Sequence, residues 1–198
     1  APGEAARAAA DLEGVLLTAG EVDAVMGASG MVADTTKSTL VDDSADTAPV
    51  DCLAVSSMGE DQVYSGASWR AVRMQSVHEP GDDYAHLVHQ AVVEFPDATA
   101  AAAFFAASTE KWASCAPGRY TYRPGGGQPP TVWDVGGATQ KDGILSLTIT
   151  EQDSDSWACQ RALTAALNIV VDVLTCSAAP GDSAASVAHR IADKVTGQ

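Results

Sequence analysis

The sequence predicts an α+β domain: a long, twisted antiparallel sheet of about six strands, with helices packed mainly on one face and two disulfides. Three observations carry that reading. Runs that alternate large and polar residues recur between clusters rich in Gly, Pro and Asp, as half-buried strands do. A few other segments repeat their apolar residues at helical spacing behind capping residues. Cys52, Cys115, Cys159 and Cys176 are the 4 cysteines of a 198-residue chain that contains no C-x-x-C. Their spacing fits neither a zinc site nor a thioredoxin-like redox pair, so it points to disulfides formed outside the cytoplasm.

From the front, residues 1–17 read as a helical lead-in. Thr18-Ala19-Gly20-Glu21 then makes a capping box for a short helix bearing Val22, Val25 and Met26, and Gly27 stops it. Residues 31–49, mostly Asp, Ser, Thr and Ala, lack periodicity and read as an irregular surface loop. Asp42, Asp43 and Asp46 within it form a solvated acidic face. Trp69 to Val77 and Ala85 to Phe95 are two antiparallel strands, separated by the turn Glu79-Pro80-Gly81-Asp82-Asp83. Asp97 caps a helix running through Trp112, whose Ala100, Phe104, Phe105, Ser108 and Trp112 lie near one face. Pro117 and Gly118 end it just beyond Cys115. Arg119 to Arg123, Thr131 to Val135 and Ile144 to Glu151 are further strands. The loop 124–130 between the first two holds three glycines but no following Lys-Ser/Thr and helix, so it is a linker and not a phosphate-binding loop.

Cys159 and Cys176 bracket a segment with Asn168 at its middle and the β-branched run Ile169, Val170 and Val171 after it. Asn tolerates a left-handed backbone, so a hairpin turning at Leu167 and Asn168 follows. Cys159 then lies opposite Cys176, where a cross-strand disulfide can form. Cys52 is left for Cys115. One hairpin face carries Trp157, Cys159, Arg161, Leu163, Val170, Asp172, Leu174 and Cys176. The other, more apolar, carries Ala158, Gln160, Ala162, Ile169, Val171 and Val173 and should pack on helices. A last helix, capped by Asp182 or Ser183, aligns Val187, Ile191 and Val195.

Length and a hydrophobic content of 46% suit a single domain over 1–198. With 26 acidic against 11 basic residues, the formal charge of −15 repels phosphate backbones and argues against nucleic-acid binding. No apolar run reaches the roughly 20 residues that span a bilayer. Disulfides nevertheless require export, so any membrane association is expected through an anchor upstream of Ala1: a cleaved signal, a lipidated cysteine or a membrane helix.

The chemistry-bearing residues favour binding over catalysis. Arg161 sits opposite Leu174 and diagonal to Asp172, close enough for an ion pair. That pair is either a structural bridge or part of a groove in which Arg161 meets a ligand flanked by Trp157 and Trp133. On the second reading, Arg161→Ala abolishes binding and spares the fold. Tyr84, beside Asp82 and Asp83, is an exposed candidate; Gln90 is either hydrogen-bonded in the interior or turned into a groove. His86 and His89 have odd spacing on a strand and diverge, and Glu151-x-Asp153-x-Asp155 lacks the glycine and final acid of a calcium loop, so neither metal nor cofactor is expected. No G-x-S-x-G occurs, Gly27-Ala28-Ser29-Gly30 follows a helix instead of a strand, and paired cysteines leave no thiol nucleophile; no enzyme activity is expected.

Several motifs appear in a fixed order: Glu21-Val22 and Met26-Gly27-Ala28-Ser29; Glu79-Pro80-Gly81-Asp82 with Tyr84 and His86; Gln90-Ala91-Val92-Val93 with Phe95-Pro96; Lys111-Trp112 before Cys115; and Trp157 through Cys176. In these the chain resembles the PknH-like extracellular sensor domain of mycobacteria, found on a receptor Ser/Thr kinase and on related lipoproteins. The likeness spans nearly the whole chain and is weakest from Arg119 to Gly143. It implies an extracytoplasmic α+β fold with two disulfides, paired as above, a cleft for an unknown small molecule or cell-envelope component, and a parent that is either a lipoprotein or a receptor with a kinase domain on the same polypeptide. The alternative is a protein-interaction or structural envelope module without a small-molecule site.

Overall fold

The structure, a computed structural model, describes residues 12–198. The expected lead-in over 1–17 therefore lies largely outside the described residues; its end is α1 (Leu12–Val15). Next comes α2 (Ala19–Met26), where Thr18 and Glu21 form the expected capping box and Gly27 closes the helix at φ 66°. The strands are β1 (Val32–Ala33), β2 (Thr47–Ala48), β3 (Ala71–His78), β4 (Leu87–Glu94), β5 (Gly118–Tyr122), β6 (Thr131–Val135), β7 (Thr139–Lys141), β8 (Ile144–Glu151), β9 (Ala158–Ala166) and β10 (Ile169–Ser177). Between β2 and β3 lie two single-turn helices, α3 (Leu53–Ser56) and α4 (Asp61–Tyr64); α5 (Ala98–Ala113) and α6 (Ser183–Thr196) are the long ones.

All strand pairs are antiparallel, in the order β1-β3-β4-β10-β9-β8-β6-β5-β2, with β7 added beside β8. Among the described residues the sheet thus has 10 strands and not about six. The extra ones, β1, β2 and β7, are 2 or 3 residues long, too short to show an alternation. Two of them lie in the 31–49 segment expected to be irregular. That segment is instead tied down, with Lys37 bridging Met74 and Val41 bridging Glu60.

Helices cover both faces, which corrects the expectation of one helical face. On one side, Val187, Ala188, Ile191 and Val195 of α6 and Leu12, Val15 and Leu17 pack on Ala162, Ile169, Val171 and Val173. On the other, Phe104 and Trp112 of α5 with Val55 and Tyr64 pack on Leu163, Val170, Val93 and Ala91. The reason is the hairpin's composition. Both sets of alternate residues in β9 and β10 are largely apolar, so both sides need cover.

Both disulfides form as expected. Cys52 joins Cys115, tying the turn before α3 to the end of α5, and Cys159 joins Cys176 across directly paired positions. The hairpin turns at Leu167 and Asn168 as expected, but the left-handed residue there is Leu167, at φ 51°. Asn168 contributes through its side chain, donating from Nδ2 to the Phe95 carbonyl at 3.2 Å.

Candidate functional site

The register of four central strands lays out one row of side chains. Ile149 of β8 pairs with Cys159 of β9, Cys159 with Cys176 of β10, and Cys176 with Leu87 of β4. Near this end of the face the row, with Leu174, floors a cavity of about 370 Å³. That volume lies within the roughly 300–1,000 Å³ typical of small-molecule sites.

Two aromatic pairs stand over the floor. Tyr120 of β5 is cross-strand partner to Trp133 of β6, with ring centroids 6.2 Å apart and planes 4° from parallel. Trp133 Nε1 donates to Thr131 Oγ1 at 2.9 Å, which fixes the indole. Trp157, just ahead of β9, meets Tyr84 at 6.4 Å. Tyr84 rides on the β3–β4 connection, which Glu79 clasps by accepting the His86 backbone N–H at 2.9 Å and facing His86 Nδ1 at 2.6 Å. Trp133, Trp157, Tyr84 and Tyr122 are all half-buried. An aromatic in that state offers a ring face to a binder while its body stays anchored.

The remaining wall consists of Asp43, Ser56, Ser57 and Met58. Ser57 Oγ donates to Asp43 Oδ2 at 2.8 Å, and the Asp43 backbone N–H donates to Glu60 Oε2 at 2.8 Å. Burial, together with Asp43 and Asp42, pushes the Glu60 carboxyl up. Burial, then Asp43 and Asp46, likewise raises the Tyr122 phenol. The wall therefore carries a negative field.

The structure brings Trp133, Trp157 and Tyr84 together and places the other expected site residues elsewhere. Arg161 and Asp172 are 1% and 3% exposed and form an ion pair at 2.8 Å beneath α5. Arg161 also donates to the carbonyls of Val173 and Ala54, and its guanidinium lies 5.4 Å from the Trp112 ring centre. Asp172 Oδ2 accepts from Gly59 N–H at 3.0 Å and Tyr64 O–H at 3.1 Å. Burial, then the Asp172 charge, drives the Tyr64 phenol well above its usual range. Neither member of the pair lines the cavity, because α5 and the α3–α4 segment fill the space above them. Gln90 lies on the opposite face, where its amide mimics a strand partner: Oε1 accepts from Leu17 N–H at 2.9 Å and Nε2 donates to the Leu17 carbonyl at 2.8 Å.

Sequence reading missed Tyr120, Tyr122, Ser56, Ser57 and Asp43 as a wall. The tyrosines had a usable signal: pairing the two strands around the 124–130 loop sets Tyr120 against Trp133. The serines had none, since a single helical turn shows no periodicity. Among the described residues, no group of three or more His, Cys, Asp or Glu could hold a metal, and no helix is long and apolar enough to cross a membrane.

The sequence pattern of the PknH-like extracellular domain matches residues 7–194. The chain belongs to that family. It is 33% identical over 195 residues to the serine/threonine-protein kinase PknH of Mycobacterium bovis and to that of Mycobacterium tuberculosis, covering 93% of this chain. It spans only 30% and 29% of those relatives' lengths. The crystal structure of the extracellular domain of PknH from M. tuberculosis superposes with a TM-score of 0.92 at 32% identity, covering 99% of this chain and 100% of that one. As a member of this family the protein is an extracytoplasmic sensor-type domain, in keeping with its two disulfides.

Proposed function

We propose that this domain is a ligand-binding module of the cell envelope whose ligand sits in the groove between the Tyr84–Trp157 and Tyr120–Trp133 pairs. One observation carries the reading: a cavity of about 370 Å³ with an apolar, disulfide-braced floor and half-buried aromatic walls, on a sheet face otherwise filled by helices. A filled, flat face would have favoured the structural or protein-interaction alternative. The relatives' identity as serine/threonine kinases supports a membrane-anchored parent with a kinase domain on the same polypeptide, the groove outside reporting to the kinase inside; a lipoprotein parent is the other form.

The test is a thermal-shift titration with a fractionated small-molecule and lipid extract of a mycobacterial envelope. An active fraction should raise the melting temperature of the domain and leave that of the Trp133→Ala/Trp157→Ala variant unmoved. Equal responses from both proteins would refute the groove as the seat.

A further inference from the structure

The chemistry of the groove's lining restricts what can occupy it. We infer that the groove selects a ligand carrying an organic ammonium group, held against the aromatic faces and balanced by Asp43; this rests on the groove being the ligand seat. Among the described residues, Asp43 is the one charged residue lining the cavity, and no Lys, Arg or His lines it. An anionic ligand would meet repulsion and no cation. On the Asp43 side the neighbouring charges have the same sign, Asp42 and Glu60 flanking Asp43 and Asp46 acting with it on the Tyr122 phenol, while Arg161, whose charge reaches the Tyr120 phenol from inside, is paired with Asp172. At a formal charge of −15, the chain as a whole favours the approach of cations.

A neutral sugar could also stack on these rings, but it depends on planar amide, guanidinium or carboxylate groups to read its hydroxyls. The lining offers Ser56, Ser57, phenols and a single carboxylate, and the Ser57 hydroxyl is already committed to Asp43. Two aromatic pairs with one carboxylate are instead the components of an ammonium site. A cation within about 6 Å of a ring centre is attracted by the negative face of the ring, most strongly when partly desolvated. The carboxylate adds a longer-range attraction.

The experiment follows the indole N–H signals of Trp133 and Trp157 by NMR while choline, its uncharged carbon isostere 3,3-dimethylbutan-1-ol, and cellobiose are each titrated into the intact domain. Choline should shift both indoles saturably, with the isostere at least about tenfold weaker, the difference a single good cation–aromatic contact confers. Asp43→Asn, which keeps a side-chain oxygen for Ser57, should weaken choline about fivefold or more without lowering the melting temperature. Equal affinity for choline and its isostere overturns the inference, as does an unaffected Asp43→Asn variant or no response to choline. Shifts from cellobiose alone would reject the ammonium class and keep the groove as a binding seat, so the two conclusions fail separately.

Discussion

The two ends of one face of the β9–β10 hairpin have opposite fates. At one end Arg161 and Asp172 lie under Trp112 and the α3–α4 segment, almost without solvent. At the other, Cys159, Cys176 and Leu174 floor a cavity walled by the aromatic pairs and by Asp43, Ser56, Ser57 and Met58. The strand pattern is the same throughout; the covering elements differ. Whether a side chain becomes core or site is decided here by where α5 and a pair of single-turn helices happen to lie.

Removing a charge at the covered end should have the largest effect. Arg161→Ala leaves the Asp172 carboxylate buried without its cation and should cost about 3–5 kcal/mol in a denaturant titration. Wherever the variant remains folded, its groove affinity should stay within about twofold of wild type, since Arg161 touches no part of the cavity. A full-strength fold with lost binding would reinstate Arg161 as a ligand contact and collapse the contrast. Joint replacement by Arg161→Met and Asp172→Leu should be milder than either single change.

Breaking Cys159–Cys176 through paired serines comes next. In the chain-entropy account, its 17-residue separation corresponds to about 3 kcal/mol, while Cys52–Cys115, spanning 63 residues, corresponds to about 4 kcal/mol. Only loss of the first should also perturb the Trp157 indole signal, because only that bond floors the groove.

Acidification probes the ground behind Met58. Burial, with help from Lys37, lowers the His89 pKa from 6.5 to about 4, against the opposing pull of Asp34. The unfolded chain takes up this proton first, so His89's contribution is complete above pH 6.5 and is lost as pH falls toward about 4. The slope should reach at most about 1.4 kcal/mol per pH unit. Denaturant midpoints at pH 7, 6 and 5 should show that slope, reduced in His89→Asn. At lower pH, Glu60 and Glu151, whose carboxyls burial raises, work in the opposite sense.

The smallest stability effect belongs to the open end. Trp157→Leu should cost about 1 kcal/mol or less, as a half-exposed position outside the helix-covered core, yet weaken any groove ligand most of all. A large loss of stability there would make the indole a core residue after all.

Much of the fold could be read from residues alone because its signals are local or strictly periodic. Thr18 and Glu21 cap α2, Asp97 caps α5, and a two-residue turn at Leu167 and Asn168 fixes every pair in the hairpin, the disulfide included. The site was less accessible. Trp133, Trp157 and Tyr84 were visible as aromatics with room to be exposed, but Arg161 and Gln90 carry no local mark of what covers them. Their burial depends on α5 and on Leu17, which lie 49 and 73 residues away in sequence from Arg161 (to Trp112) and Gln90 respectively. Burial of that kind is set by tertiary packing, which no window of sequence reports.

The stretch from Ser57 to Gly59 belongs to both ends at once: Ser57 holds Asp43 at the groove, and Gly59 gives its N–H to Asp172 inside. A wall fastened to an interior charge has little freedom to adapt to a visitor. Recognition on that side then resembles a key entering a cut lock, with little ordering entropy spent and selectivity set by shape.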